Sequence, residues 1–282
     1  MIGVFDSGYG GLTILEKIRR HLPEYDYVYL GDNARAPYGT RSFEVIYEYT
    51  LQSVRLLFEE GCRLVILACN TASAKALRSI QMHDIDPARQ RVLGVIRPTV
   101  EAVIGRHEHW QERHIGVLAT PGTVSSGSYE IELRKQWELV HGGRADGLHV
   151  TQQACPMLVP LIESGEHLNA GADWFVDKYI RELLERDPET ETVILGCTHY
   201  PLLRSKIELS LARLGSKAEV VAQGDIVAAS LADYLQRHTE IERDCTRGGT
   251  CRFLTTESGE KFAASASIFL PEAVAAEHVE MG

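Results

Sequence analysis

The chain has no apolar run that approaches the length of a membrane-spanning helix, so no membrane partner is expected. It also lacks an excess of positive charge: 29 Lys and Arg face 39 Asp and Glu, a formal net charge of −10. A nucleic-acid binder needs a basic stripe to neutralise phosphates, so nucleic acid is not an expected partner either. An anionic small molecule is compatible, because a local site can be positive inside an acidic protein. The six cysteines (Cys62, Cys69, Cys155, Cys197, Cys245 and Cys251) are too sparse for a disulfide scaffold. No CxxC or HxxxH spacing offers a metal cage, and for the loose group His238, Cys245 and Cys251 ordinary packing is the expectation. Met1 runs directly into the apolar Ile2-Gly3-Val4-Phe5, which leaves no room for the charged and apolar regions of a signal peptide. A cytoplasmic location with reduced thiols is therefore expected.

What is present is a globular composition, 44% hydrophobic, over 282 residues, enough for two ordinary domains or one large one. Strand-like and helix-like segments alternate: strand 2–5, helix 11–21, strand 26–30, helix 42–60 ended by Gly61, strand 64–68, a helix from about Thr71, and strand 92–96. Pro98 suits the first turn of the next helix. The C-terminal part adds strand 218–222, helix 225–238 and short segments at 251–255 and 268–270, before an acidic tail, 272–282, expected to fray.

One string is written twice. Val65-Ile66-Leu67-Ala68-Cys69-Asn70-Thr71 recurs 128 residues later as Val193-Ile194-Leu195-Gly196-Cys197-Thr198-His199. Each copy is a short apolar run that ends at a cysteine and turns polar, as a buried parallel strand does. A second echo precedes it: Ile2-Gly3-Val4-Phe5-Asp6-Ser7 returns 113 residues later as Ile115-Gly116-Val117-Leu118-Ala119-Thr120. Two restarts in the same order point to an internal duplication of an α/β unit. The second copy is longer by about fifteen residues, and the polar, glycine-rich segment 139–147 is a natural place for some of them. No low-complexity linker separates the halves, so closely packed lobes with a site in the cleft between them are expected.

Open α/β sheets place their chemistry just past the carboxyl ends of the strands. A cysteine there, ahead of a helix, meets aligned peptide dipoles and free N–H groups that lower its pKa from about 8.5. The same N–H groups can hold a carboxylate, with Asn70, Thr71, Thr198 and His199 alongside. Asp6-Ser7-Gly8 would lie near Cys69 if the first and third strands are close. A lone cysteine is usually a buried small hydrophobe. A matched pair suggests more: a redox couple, a nucleophile with its partner, or two opposed acid/base groups. A disulfide needs Cα atoms within about 7 Å, and a cysteine hydrolase leaves the second thiol without a task. Two opposed groups employ both thiols: one removes a proton from a carbon while the other delivers a proton to the opposite face.

Four blocks carry a resemblance. Val4-Phe5-Asp6-Ser7-Gly8-Tyr9-Gly10-Gly11-Leu12-Thr13, Gly31-Asp32-Asn33-Ala34-Arg35-Ala36-Pro37-Tyr38-Gly39, Ala68-Cys69-Asn70-Thr71-Ala72-Ser73 and Gly196-Cys197-Thr198-His199-Tyr200-Pro201-Leu202-Leu203 occur in order over most of the chain. Together they resemble the signatures of the glutamate racemases, within the cofactor-independent aspartate/glutamate racemase family. The resemblance implies an α/β fold of two flavodoxin-like lobes with parallel sheets, related by pseudo-twofold duplication, with the active site in the interlobe cleft. It implies an isomerase, without cofactor or metal, that interconverts L- and D-glutamate and supplies D-glutamate for peptidoglycan and cell-wall biogenesis. Cys69 and Cys197 would be the two bases, with Cys69 acting on the D-isomer. Asp6 and His199 would tune or relay protons for them, and Glu163 would assist on the second side. The implied substrate contacts are Asp6, Ser7, Tyr38, Gly39, Asn70, Thr71, Thr120, Thr198 and His199.

Each of these residues has a plainer reading. Asp6 serves equally as a helix cap, Tyr38-Gly39 as a turn, His199 as a core histidine and Glu163 as a surface acid, with Glu166 a second acid nearby. The block Gly94-Val95-Ile96-Arg97-Pro98-Thr99 departs from the family pattern, with Arg97 where glutamate is expected and Thr99 where glycine is. The 137–147 segment is longer than expected, with a lobe surface or homodimer contact as the feature it would alter. The lobes are expected to comprise 1–96 plus 215–282, and 97–214. The competing functions are a racemase for another amino acid, such as aspartate, and an acidic protein-binding module whose cysteines are incidental.

Overall fold

The computed structural model describes residues 1–105, 112–144 and 146–281. Among the described residues, ten strands are laid down in chain order: β1 (Ile2–Asp6), β2 (Tyr27–Gly31), β3 (Leu64–Leu67), β4 (Arg91–Gly94), β5 (Arg113–Ala119), β6 (Leu148–Ala154), β7 (Thr192–Gly196), β8 (Glu219–Val221), β9 (Cys251–Thr255) and β10 (Ala276–His278). They form two sheets, ordered β10-β9-β2-β1-β3-β4 and β6-β5-β7-β8, and every pairing is parallel. The chain divides into two compact units, one comprising residues 1–95 and 224–282 and the other residues 96–223. Among the described residues, no helix is long and apolar enough to cross a membrane.

In each unit the first four strands run in the order second-first-third-fourth, the flavodoxin-like arrangement. β1, β3 and β7 are buried at every residue, as strands covered on both faces must be. The register repeats as well. Gly3 of β1 sits opposite Val65 of β3, and Gly116 of β5 opposite Val193 of β7. A Cβ on Gly3 would stand 3.2 Å from Leu57, and one on Gly116 would stand 2.8 Å from Leu183. Leu57 belongs to the helix Phe43–Glu59 and Leu183 to the helix Ala170–Arg186. The same small residue therefore admits the same leucine-bearing helix onto each sheet. The buried positions of the first of these helices (Ile46, Thr50, Leu51, Ser53, Val54 and Leu57) fall at helical spacing and make its core-facing stripe.

Three details differ from the sequence expectation. The strand expected over 92–96 stops at Gly94, and Ile96 already begins a helix that runs to Gly105. β8 pairs with β7, which holds residues 215–223 in the second unit, whereas the sequence placed them in the first. The tail expected to fray contains β10, paired to β9 and pinned by Arg252, which reaches Glu60 at 2.8 Å and Glu277 at 3.1 Å. Gly282 lies outside the described residues, as does Ala145 of the long 137–147 segment. That segment folds back on its own helix: Trp137 Nε1 donates to the Asp146 carbonyl at 2.9 Å, and the indole stacks on His141. Arg97 makes an exposed ion pair with Glu101 at 2.8 Å, while Thr99 is buried and accepts a hydrogen bond from Gln223 at 3.0 Å.

Candidate active site

In the first unit, β1 and β3 are neighbours, so the residues that follow them converge at the carboxyl end of the sheet. This is the switch point of the strand order, where ligands of such folds bind. The register continues past the strands and brings Ser7 beside Cys69, with Ser7 Oγ 3.3 Å from the thiol sulfur. Cys69 is the N-cap of the helix Asn70–Lys75, and its sulfur accepts from the Ala72 N–H at 3.5 Å. Asn70, Thr71 and Ser73 are buried around it, and the Ser73 hydroxyl returns to the Leu67 carbonyl at 2.8 Å. Asp6 is buried at the end of β1 and accepts the Gly8 N–H at 3.0 Å. Gly11 makes this possible, since a Cβ there would stand only 2.5 Å from the Asp6 Cβ. Asp6 is thus bonded to the loop that follows it, at the N-terminal side of the helix Leu12–His21.

The second block of the first unit is organised by a carboxylate that the sequence did not single out. Asp32 is fully buried, and its charge is met by Arg35 Nε at 2.7 Å, the Thr256 hydroxyl at 2.9 Å and the Tyr38 hydroxyl. A buried charge is tolerated when partners of this kind surround it. Arg35 in turn lies over the Tyr49 ring, 4.1 Å from its centroid. Burial, and then the Asp32 charge, push the Tyr38 phenol well above its ordinary pKa, so it is a neutral donor. The backbone of Asp32 donates to the Asp6 carbonyl at 3.0 Å, which ties the block to the end of β1. Tyr38 and Gly39 form a turn closed by Arg41 N–H to the Tyr38 carbonyl, as the plain reading expects.

The second unit repeats the scheme with different side chains. Ala119 of β5 faces Gly196 of β7, so Thr120 and Cys197 follow side by side, as Ser7 and Cys69 do. Thr120 caps the helix Pro121–Ser125, accepting the Thr123 N–H at 3.3 Å. Both cysteines are 6% exposed, and Thr198 is buried. The helix expected directly after each thiol forms only after Cys69. After Cys197 the chain makes a 3-10 turn, Tyr200–Leu203, and the helix starts at Arg204. In place of an N-cap, Cys197 has an imidazole: His199 Nδ1 lies 3.8 Å from its sulfur, and His199 Nε2 lies 2.9 Å from Glu163 Oε1. Of the two candidate acids it is Glu163, at the end of the helix Leu158–Glu163, that meets His199, whereas Glu166 bonds to Asn169. Burial lowers the His199 pKa, but Cys197 and Glu163 outweigh it and lift the value to about 10.

The remaining cysteines differ in character. Burial raises the thiols of Cys62 and Cys251 to about 12, that of Cys245 to about 11 and that of Cys155 well above the ordinary value, so all four stay protonated. Cys155 also supplies the carbonyl that the Tyr200 hydroxyl meets at 3.2 Å beneath the Cys197 turn. Among the described residues, metal-type ligands come together at Glu112, His114 and His149, near the start of β5 and at the opposite end of the sheet from Cys197.

Known proteins resemble this chain over nearly its whole length. A glutamate racemase of Dinoroseobacter shibae is 42% identical over 278 residues, 95% of this chain and 95% of its own length. The crystal structure of a glutamate racemase isoform from Bacillus anthracis superposes with a TM-score of 0.85 at 32% identity, covering 100% of this chain and 97% of that one. A glutamate racemase from Francisella tularensis, solved in complex with D-glutamate, gives 0.82 at 29% identity, covering 99% of this chain and 97% of its own. The profile of the Asp/Glu/hydantoin racemases matches residues 2–231, and the chain belongs to that family.

Proposed function

We propose that this chain interconverts L- and D-glutamate without an added cofactor, with Cys69 and Cys197 as its two acid/base groups. The observation that carries the reading is the matched placement of the thiols: each follows the third strand of its unit at the switch point, with a hydroxyl residue beside it in the same register. The reading requires the two units to present these thiols to opposite faces of one α-carbon. The thiolate on one side takes the α-proton, and the thiol on the other side delivers its own proton to the opposite face. The product leaves with the two protonation states exchanged, so the reverse reaction starts from the state that the forward one creates.

The neighbouring residues have distinct tasks in this scheme. His199, held protonated by Cys197 and Glu163, keeps a positive charge beside Cys197. On the other side, the Ala72 N–H and the Ser7 hydroxyl stabilise the Cys69 thiolate, and Asp6 accepts or relays a proton. Backbone N–H groups, Asn70, Thr71, Thr120 and Thr198 hold the substrate carboxylates, while Tyr38 and Gly39 contribute through the turn they form. An amino acid's α-proton is weakly acidic, so positioning and electrostatic stabilisation of the developing carbanion supply much of the rate. A cytoplasmic supply of D-glutamate for peptidoglycan is the role that fits this activity. Incubation of the protein with L-glutamate, and separately with L-aspartate, followed by polarimetry without added cofactor, tests the assignment. Loss of rotation with glutamate is expected; racemisation of aspartate alone would overturn the substrate, and racemisation of neither would overturn the function.

A further inference from the structure

The second sheet carries a group of imidazoles and carboxylates at the end opposite to Cys197. His114 of β5 stands beside His149 of β6 in the parallel register, and the two rings stack with centroids 4.2 Å apart at 8°. His149 Nε2 is 3.2 Å from Glu112 Oε1, and the same oxygen is 3.8 Å from His114 Nε2. Glu189 Oε2 approaches that His114 nitrogen at 3.2 Å. The ligand atoms of Glu112, His114 and His149 all fall within 4.8 Å of one another. The other nitrogen of His114, Nδ1, lies 2.8 and 3.0 Å from the two oxygens of the buried Asp187 carboxylate. A carboxylate in that position holds the proton on Nδ1 and turns the Nε2 lone pair toward the cluster, which is how metal-bound imidazoles are oriented.

We propose that Glu112, His114 and His149, with Glu189 at the rim, bind a divalent transition-metal ion. Two imidazole nitrogens with carboxylate oxygens select zinc, cobalt, nickel or copper over magnesium and calcium. Closing four ligands around such an ion at bonds of about 2.0–2.2 Å asks for a contraction of the cluster. The side chains of Glu112 and His149, 65% and 51% exposed, are free to rotate into it. The ion would clip together the start of β5, the start of β6 and the turn that precedes β7. β5 spans roughly 20 Å at about 3.3 Å per residue, so the ion would stabilise the second unit without touching the reacting end. No linear spacing announces the site, because its two histidines are brought together only by strand pairing.

The test is calorimetric titration of the reduced chain with Zn²⁺, beside the exposed-residue variants His149→Gln and Glu112→Gln. Zinc held by thiols survives both substitutions, so the difference between the isotherms isolates this site. The expected result is one equivalent of Zn²⁺ in the wild type whose affinity falls tenfold or more in each variant. Zn²⁺ should also raise Tm in the wild type only, with glutamate racemisation unchanged in both variants. Isotherms and Tm responses that are the same in all three proteins would overturn the proposal and leave a hydrogen-bonded surface cluster only.

Discussion

Cys69 and Cys197 follow equivalent strands in the same register, yet the groups around them are of different chemical kinds. Cys69 is met by a backbone N–H and the Ser7 hydroxyl, at the start of a helix. Cys197 is met by His199, which is anchored on Glu163, and the helix behind it begins seven residues further on. A duplicated framework therefore surrounds its two thiols differently: fixed neutral dipoles on one side, and a charged imidazole on the other. In the proposed reaction the two substrates are mirror images and each enantiomer would offer its proton to a different thiol, which that difference suits.

Removing either thiol should abolish the reaction and so erase the difference. Cys69→Ser and Cys197→Ser are each expected to lower racemisation by about 10²–10⁴-fold, the usual contribution of a positioned acid/base group, measured as kcat/KM in both directions. Full activity in either variant would break the pairing. Glu163→Gln weakens a hydrogen bond to a charged partner worth about 1.5–3 kcal/mol, so a loss of roughly 10- to 100-fold is expected, with KM little changed. It should also move the alkaline limb of the pH profile to lower pH, since the carboxylate helps hold the His199 proton. Ser7→Ala, on the other side, should leave that limb in place.

The framework itself can be probed through its paired glycines. Gly116→Ala meets Leu183 at 2.8 Å and Gly3→Ala meets Leu57 at 3.2 Å, so both should destabilise the protein, the former more. Overpacking of this kind costs about 1–3 kcal/mol, which thermal unfolding would resolve. A further effect concerns His199 and stability. Its pKa is raised by folding from 6.5 to about 10, so its contribution is fully present below pH 6.5 and is lost as pH rises toward 10. In His199→Gln the stability-versus-pH curve should be flatter across that window, read by denaturant unfolding at several pH values.

Much of this was visible in the order of residues. The doubled apolar strings marked β3 and β7, and the echo at Ile115 marked β5, because a strand buried on both faces reads as a near-continuous apolar run. The proximity of Ser7 to Cys69 followed once the first and third strands were placed side by side. Features set by pairing between distant segments were not visible. β10 is three residues long, with Glu277 and His278 exposed, and nothing in its pattern distinguishes it from a frayed tail. β8 was readable as a strand, but its partner β7 was not, and the partner decides to which unit it belongs. Asp32 lies inside the Gly31–Gly39 motif, yet its role depends on Thr256, more than two hundred residues away, which bonds it. Between Glu163 and Glu166 only the direction of a short helix could choose.

The central claim is that two thiols serve one carbon from opposite sides, and the fate of the α-hydrogen tests it most directly. Protiated L-glutamate and protiated D-glutamate are each incubated with the enzyme in D₂O, and product and recovered substrate are separated early in conversion and analysed for α-deuterium. The account predicts deuterium in the product and almost none in the recovered substrate, in both directions, because the arriving hydrogen comes from the opposite, solvent-equilibrated thiol. Equal deuterium in recovered substrate and product would mean that a single group both removes and returns the hydrogen, and would contradict the pairing of Cys69 with Cys197.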